Sequence, residues 1–257
     1  HMSGILAKAG YEFTDDENKA DVIIINSCCF IHDAKEESIN TIFEMARYKE
    51  EGKCKALVLA GCLAQRYYEE IKEEIPEIDI CIGTTAIDSI AKALNEFFTK
   101  EHNIQIINDV DLLSGINAPR NLSTMGSYAY LKIAEGCDKH CTYCIIPKIR
   151  GNYRSVEMEV LLKEAKELAD RGVKELILVA QETTMYGKDI YGEKSLHILL
   201  KELAKIEEIY WIRILYCYPE EITDELIEEI ANNDRKKKAV PFEITKEQID
   251  KIVQQAR

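Results

Sequence analysis

The feature that most constrains this chain is an alternation, repeated from end to end, of short apolar runs with amphipathic stretches. In the first hundred residues the runs are Asp21-Val22-Ile23-Ile24-Ile25, Ala56-Leu57-Val58-Leu59-Ala60 and Asp79-Ile80-Cys81-Ile82. Each is apolar throughout, as burial of a strand on both faces requires. Helical periodicity fills the gaps near 33–50, 64–74 and 86–99, which predicts an open parallel α/β domain over residues 1–100. Ligands of such sheets gather at the carboxyl ends of the strands. Cys28 follows the first run and Cys62 the second, so both stand where that rule puts chemistry, although each alone also fits a buried thiol in a βα turn.

Residues 101–127 lose the periodicity and collect Asn, Asp, Gly, Pro and Ser around Ser114-Gly115-Ile116-Asn117-Ala118-Pro119, the texture of an interdomain connection. A second α/β region, 128–233, then follows. Its expected strands are 128–133, 176–181 and 209–217. A helix capped by Ser155 and ended by Gly172 carries Leu161, Ala165 and Leu168 on one face, and further helices lie at 195–207 and 222–232. Three βα repeats leave one sheet edge open. Residues 234–257 change character, with a basic run at Lys236–Lys238 and a short amphipathic helix capped by Thr245 and Gln248.

The 257 residues carry a formal charge of −13, which argues against non-specific nucleic-acid binding and permits a basic protein partner. No apolar run reaches the roughly 18–20 residues of a membrane span, and no export signal opens the chain, so a cytoplasmic protein without a membrane partner is expected. His1-Met2 reads as a cloning remnant. Nine cysteines, at 28, 29, 54, 62, 81, 137, 141, 144 and 217, are many for a compartment where disulfides do not persist, which leaves metal ligation or buried thiols. Cys54, Cys81 and Cys217 have no ligand spacing and are expected to be structural. His32, His102 and His197 lack sequence partners.

The strongest motif is Gly136-Cys137-Asp138-Lys139-His140-Cys141-Thr142-Tyr143-Cys144, a C-x-x-x-C-x-x-C loop after the strand at 128–133. Three thiolates leave one iron of a four-iron cubane without a protein ligand, and an open position is what a reactive centre needs. Addition of His140 would instead make a closed Cys3His zinc site, as in a non-catalytic interaction module. The adjacency of His140 and Cys141 weighs against a tetrahedral zinc site. Beside the loop, Lys148, Arg150 and Arg154 form a basic cluster that suits carboxylate binding or an ordinary solvated surface.

The loop resembles that of the radical S-adenosylmethionine enzymes, where this spacing follows the first strand of a partial βα barrel. Glu135-Gly136-Cys137 through Cys144-Ile145-Ile146-Pro147, Arg150-Gly151, Arg154-Ser155, Asn26-Ser27-Cys28 and Gly61-Cys62-Leu63-Ala64-Gln65-Arg66-Tyr67 are similar to the methylthiotransferase branch. Leu178 through Gly187 resembles the RimO-type members, which modify an aspartate of a small-subunit ribosomal protein; transfer-RNA-modifying sisters carry an Asn-rich stretch there. The resemblance covers about 5–233 and implies an incomplete radical-SAM partial barrel behind the N-terminal domain. It further implies a 4Fe-4S cluster on Cys137, Cys141 and Cys144 that chelates S-adenosylmethionine. One-electron cleavage of that cofactor then yields a radical able to take hydrogen from an unactivated carbon. A second 4Fe-4S cluster that delivers sulfur is implied on Cys28 and Cys62, and an electron donor is required. The family's first N-terminal ligand has no counterpart here, and adjacent side chains diverge at a strand end, which disfavours Cys29 as its substitute. Tyr143 corresponds to an aromatic position near the adenine, with a packed core tyrosine as the alternative. Gln181 and Glu182 stand at a strand end where the cofactor's amino group would bind, with capping as theirs. The absent ligand and barrel strands imply a fragment without full turnover. Transfer RNA is the alternative substrate.

Overall fold

The computed structural model describes residues 1–99, 103–122 and 126–232, and the chain divides into two compact units, His1–Asn121 with Asp138–Asn152, and Leu122–Cys137 with Tyr153–Arg257. His102, the basic run at Lys236–Lys238 and the expected C-terminal helix lie outside the described residues.

The first unit runs α1 (Met2–Lys8), β1 (Val22–Ser27), α2 (His32–Ala46), α3 (Tyr48–Glu51), β2 (Ala56–Gly61), α4 (Cys62–Glu74), β3 (Ile80–Ile82), α5 (Ile90–Thr99), β4 (Ile104–Ile106) and α6 (Ile146–Arg150). Its four strands are parallel, in the order β1-β2-β3-β4. Side chains alternate across the sheet, so each run of β-branched and apolar residues feeds two cores. Ile23, Ile25, Leu57 and Leu59 pack on one side with Ile42 of α2, Leu63 and Ile71 of α4 and Ile149 of α6. Val58, Ala60, Ile80 and Ile82 pack on the other with Leu6 of α1 and Ile90 and Leu94 of α5. The fourth strand falls inside the segment 101–127 that the sequence marks as a connection. Three residues, Ile104-Gln105-Ile106, are too few to declare a period, and only pairing with β3 makes them a strand.

The second unit contains β5 (Tyr128–Lys132), β6 (Ala134–Glu135), β7 (Arg154–Ser155), α7 (Met158–Asp170), β8 (Glu175–Val179), α8 (Lys188–Tyr191), α9 (Leu196–Leu203), β9 (Trp211–Ile214) and α10 (Asp224–Asn232). Strands β5, β8 and β9 form a parallel sheet in that order, and β6 pairs antiparallel with β7. Ala129, Leu131, Leu176 and Leu178 are buried, as are Leu161, Ala165 and Leu168 of α7 and Leu196, Leu199 and Leu203 of α9. The opposite sheet face carries Tyr128, Tyr130, Trp211 and Arg213, all exposed. This is the α/β architecture expected, with parallel sheets in both units.

Ser155 does not cap a helix. The N-cap of α7 is Glu157, without a side-chain bond. Ser155 lies in β7, where its amide and hydroxyl donate to the Asp189 carboxylate at 2.8 and 2.6 Å, and its Oγ accepts from the Gly187 amide at 2.9 Å. A distant carboxylate outcompetes local capping here, a contact that no spacing rule reveals.

Candidate metal centres

At the carboxyl end of the first unit's sheet, β1 and β2 stop in register, with Ser27 opposite Gly61. Neighbouring strands lie about 4.8 Å apart, so the cysteines that follow each strand emerge side by side. Gly61 takes φ 99°, and a Cβ there would stand 2.7 Å from the Ser27 carbonyl oxygen, so only glycine lets α4 begin directly at Cys62. Cys62 is 2% exposed. Cys28 is half-buried, its amide and carbonyl both bonded to the Ser38 hydroxyl of α2 at 3.1 Å. The buried Cys29 thiol donates to the Cys62 carbonyl oxygen at 3.2 Å. Burial, and then the nearby Cys62 sulfur, push the Cys29 thiol up to about 11, against the pull of the Arg66 guanidinium. Arg150, at the end of α6, donates through Nη2 to the Cys62 sulfur at 3.2 Å. The sequence offered Lys148, Arg150 and Arg154 only as a local basic patch, with nothing to connect Arg150 to a cysteine 88 positions earlier.

The second cysteine group occupies residues 137–144, which contain no helix or strand. Gly136 at φ 79° and His140 at φ 47° turn the chain through the left-handed region, and the Cys144 amide donates to the Cys141 carbonyl at 2.9 Å. Cys137 is buried and counted with the second unit; Cys141 and Cys144 are half-buried and counted with the first. Tyr143 is 90% exposed, so the packed core tyrosine is not found.

In the second unit, Gln181 and Glu182 follow the carboxyl end of β8. Glu182 is 2% exposed and accepts a bond from the Thr184 hydroxyl at 3.2 Å, a fixed carboxylate of the kind that binds an ammonium group. Thr183, next to it, donates to the Leu215 carbonyl at 2.7 Å. Cys54, Cys81 and Cys217 are thiols held above their ordinary range by burial, Cys81 up to about 11.

Among the described residues, no three His, Cys, Asp or Glu side chains converge closely enough to hold one ion. The donor set nevertheless suits iron–sulfur chemistry in kind. Loop 137–144 supplies three thiols, and at the first site a guanidinium is aimed at a buried sulfur, an arrangement that favours a negatively charged ligand set.

A model described as Uncharacterized protein family UPF0004 matches residues 1–83, and the Radical SAM superfamily model matches residues 131–257. Sequence similarity is high to the ribosomal protein uS12 methylthiotransferase RimO of Lachnoclostridium phytofermentans, 57% identical over 234 residues, covering 91% of this chain and 53% of that protein. The RimO of Clostridioides difficile is 52% identical over 233 residues, covering 91% of this chain and 52% of its own length. Over most of its length the chain is thus similar to ribosomal protein uS12 methylthiotransferases, with a UPF0004 region ahead of a Radical SAM region. It spans about half the length of the curated relatives it matches. Among solved structures, the radical S-adenosylmethionine methyltransferase TsrM of Kitasatospora setae shares the fold, with a TM-score of 0.56 at 12% identity, covering 90% of this chain and 49% of that one. No helix among the described residues is long and apolar enough to cross a membrane.

Proposed function

We propose that this chain carries the N-terminal and radical-SAM parts of a methylthiotransferase that inserts a methylthio group at an unactivated carbon of an aspartate in ribosomal protein uS12. The observation that carries this reading is the C-x-x-x-C-x-x-C loop at Cys137, Cys141 and Cys144, set in a sequence more than half identical to RimO proteins. Those three thiols would hold a 4Fe-4S cluster, and Cys28 and Cys62 would contribute to a second. Bound there, a cluster with one open iron supplies the electron that activates S-adenosylmethionine. Glu182, with Gln181 beside it, would receive the cofactor's amino group, and the exposed ring of Tyr143 would meet the adenine. The charge of −13 suits a basic ribosomal protein better than transfer RNA. A cytoplasmic location and a separate electron donor follow from the same reading.

The test is anaerobic reconstitution with iron and sulfide, followed by electron paramagnetic resonance of the reduced protein with and without S-adenosylmethionine. A cubane signal that shifts on addition of the cofactor is expected. A colourless, zinc-loaded protein would overturn the reading. Binding to uS12 and to transfer RNA, measured side by side, decides the substrate; tight RNA binding without protein binding would replace uS12.

A further inference from the structure

Two strand ends are clamped together at the first site. Ser27, the last residue of β1, donates through its hydroxyl to the Ala60 carbonyl of β2 at 2.7 Å, and its register partner is Gly61. The next residue after each strand is a cysteine, Cys28 on one side and Cys62 on the other. The Cys29 thiol donates to the Cys62 carbonyl at 3.2 Å, so segment 28–29 stays against Cys62 beyond the last rung of the sheet. Partners on neighbouring strands stand about 4.8 Å apart, and a disulfide spans Cα separations of roughly 4.4–6.8 Å. Among the described residues no third His, Cys, Asp or Glu joins the pair. Two thiols are too few for a four-iron cluster, and two are what a disulfide requires.

The two cysteines differ in a way that suits thiol–disulfide exchange. Cys28 is half-buried, within reach of a small molecule, while the Ser38 hydroxyl holds its amide and carbonyl at 3.1 Å. Cys62 is 2% exposed, and Arg150 Nη2 donates to its sulfur at 3.2 Å. A cation beside a sulfur favours the thiolate, the form that attacks a disulfide. Cys29 is buried with its thiol engaged by a backbone carbonyl, which leaves it outside the pair. All of these residues belong to the first unit.

We propose that Cys28 and Cys62 form a reversible thiol–disulfide exchange site that reacts with small disulfides of the glutathione type. The Cys28 sulfur displaces one thiol from the small disulfide and becomes a mixed disulfide. The Cys62 sulfur then attacks the Cys28 sulfur, closes the Cys28–Cys62 bond and displaces the second thiol. The protons of the two cysteines leave on the two released thiols; the protein is oxidised by two electrons and the small disulfide is reduced by two. Closure would withdraw both sulfurs from any metal until they are reduced, which deepens the reading of Cys28 and Cys62 as ligands, while the bond itself does not depend on that reading.

The test uses the full chain carrying Cys137→Ala, Cys141→Ala and Cys144→Ala, which removes the loop thiols from the reaction. The protein is reduced, freed of metal with a chelator and equilibrated anaerobically at graded ratios of reduced to oxidised glutathione. Remaining thiols are blocked with N-ethylmaleimide, and the linked peptides are mapped by mass spectrometry. A Cys28–Cys62 link within one chain is expected, with two blockable thiols fewer per chain and full recovery in reduced glutathione. Adding Cys62→Ala should stop the reaction at a glutathione adduct on Cys28, and adding Cys28→Ala should leave Cys62 unmodified. Circular dichroism verifies folding, and Cys62→Ser replaces Cys62→Ala if the latter does not fold. Absence of the link at every ratio, or a link through Cys29 or between two chains, would overturn the proposal. Iron uptake by the unmutated chain is scored separately: if Cys28→Ala leaves its iron content unchanged, the ligand reading of the pair fails while the disulfide stands, and bound iron without a link in the metal-free chain sinks the disulfide alone.

Discussion

The two cysteine-bearing regions are built in opposite ways. At the first, regular structure fixes the sulfur atoms: Cys28 and Cys62 leave adjacent parallel strands, Cys62 opens a helix, and Ser38, Cys29 and Arg150 bond to the cysteines or their backbone. At the second, three thiols ride on a loop without helix or strand, two of them half-exposed beside a solvent-facing tyrosine. A thiol placed by a sheet keeps its position whether or not metal is present. A thiol placed by a loop takes its final position from the metal.

The largest effect that tests this contrast is loss of the metal proposed for the loop. Replacement of Cys137, Cys141 or Cys144 by Ser should remove about four irons per chain, the content of one cubane, as measured by iron analysis. Retention of full iron would show that the loop is not a ligand set. In the parent chain, metal loading should slow amide exchange across 137–145 far more than at the ends of β1 and β2; equal protection at both would erase the distinction.

Next in size is Ile149→Ala, which removes a fully buried side chain from the core beneath the first site. A cost of about 2–5 kcal/mol is expected from urea unfolding, whereas a cost below about 1 kcal/mol would mean that α6 is not anchored there. A smaller effect follows from Cys81, buried in the same core and far from either loop in sequence. Its thiol titrates near 11 in the folded chain against an ordinary value of 9.0. Folding therefore keeps the proton, and this contribution is complete below pH 9 and is lost as pH rises toward 11, by about 2 kcal/mol. Cys81→Ala should flatten the stability profile in that window; an unchanged slope would assign it to other groups. Least of all, Tyr143→Ala should alter stability by less than about 0.5 kcal/mol, yet weaken the spectral response to S-adenosylmethionine if the ring meets the adenine.

Much of this organisation is legible in the sequence because strand burial and ligand spacing are local patterns. The runs at 22–25, 56–60 and 80–82 become β1, β2 and β3, since both-face burial leaves no other pattern. The loop cysteines stand out by spacing alone. What stays hidden depends on pairing across the chain. Ile104–Ile106 becomes a strand only beside β3, Ser155 turns from cap to carboxylate partner because Asp189 arrives from 34 residues away, and Arg150 reaches Cys62 over 88 residues. Cys29 likewise finds its partner far along the chain, the Cys62 carbonyl 33 residues away.

The face of the β5-β8-β9 sheet that is exposed among the described residues has an optical consequence. Trp211, the only tryptophan in the sequence, stands there 37% exposed, with the Arg213 guanidinium 5.3 Å from its ring centre. Light at the red edge of protein absorption thus excites one indole at one address. Its emission wavelength and its quenching by iodide give a label-free gauge of whatever comes to cover those strands.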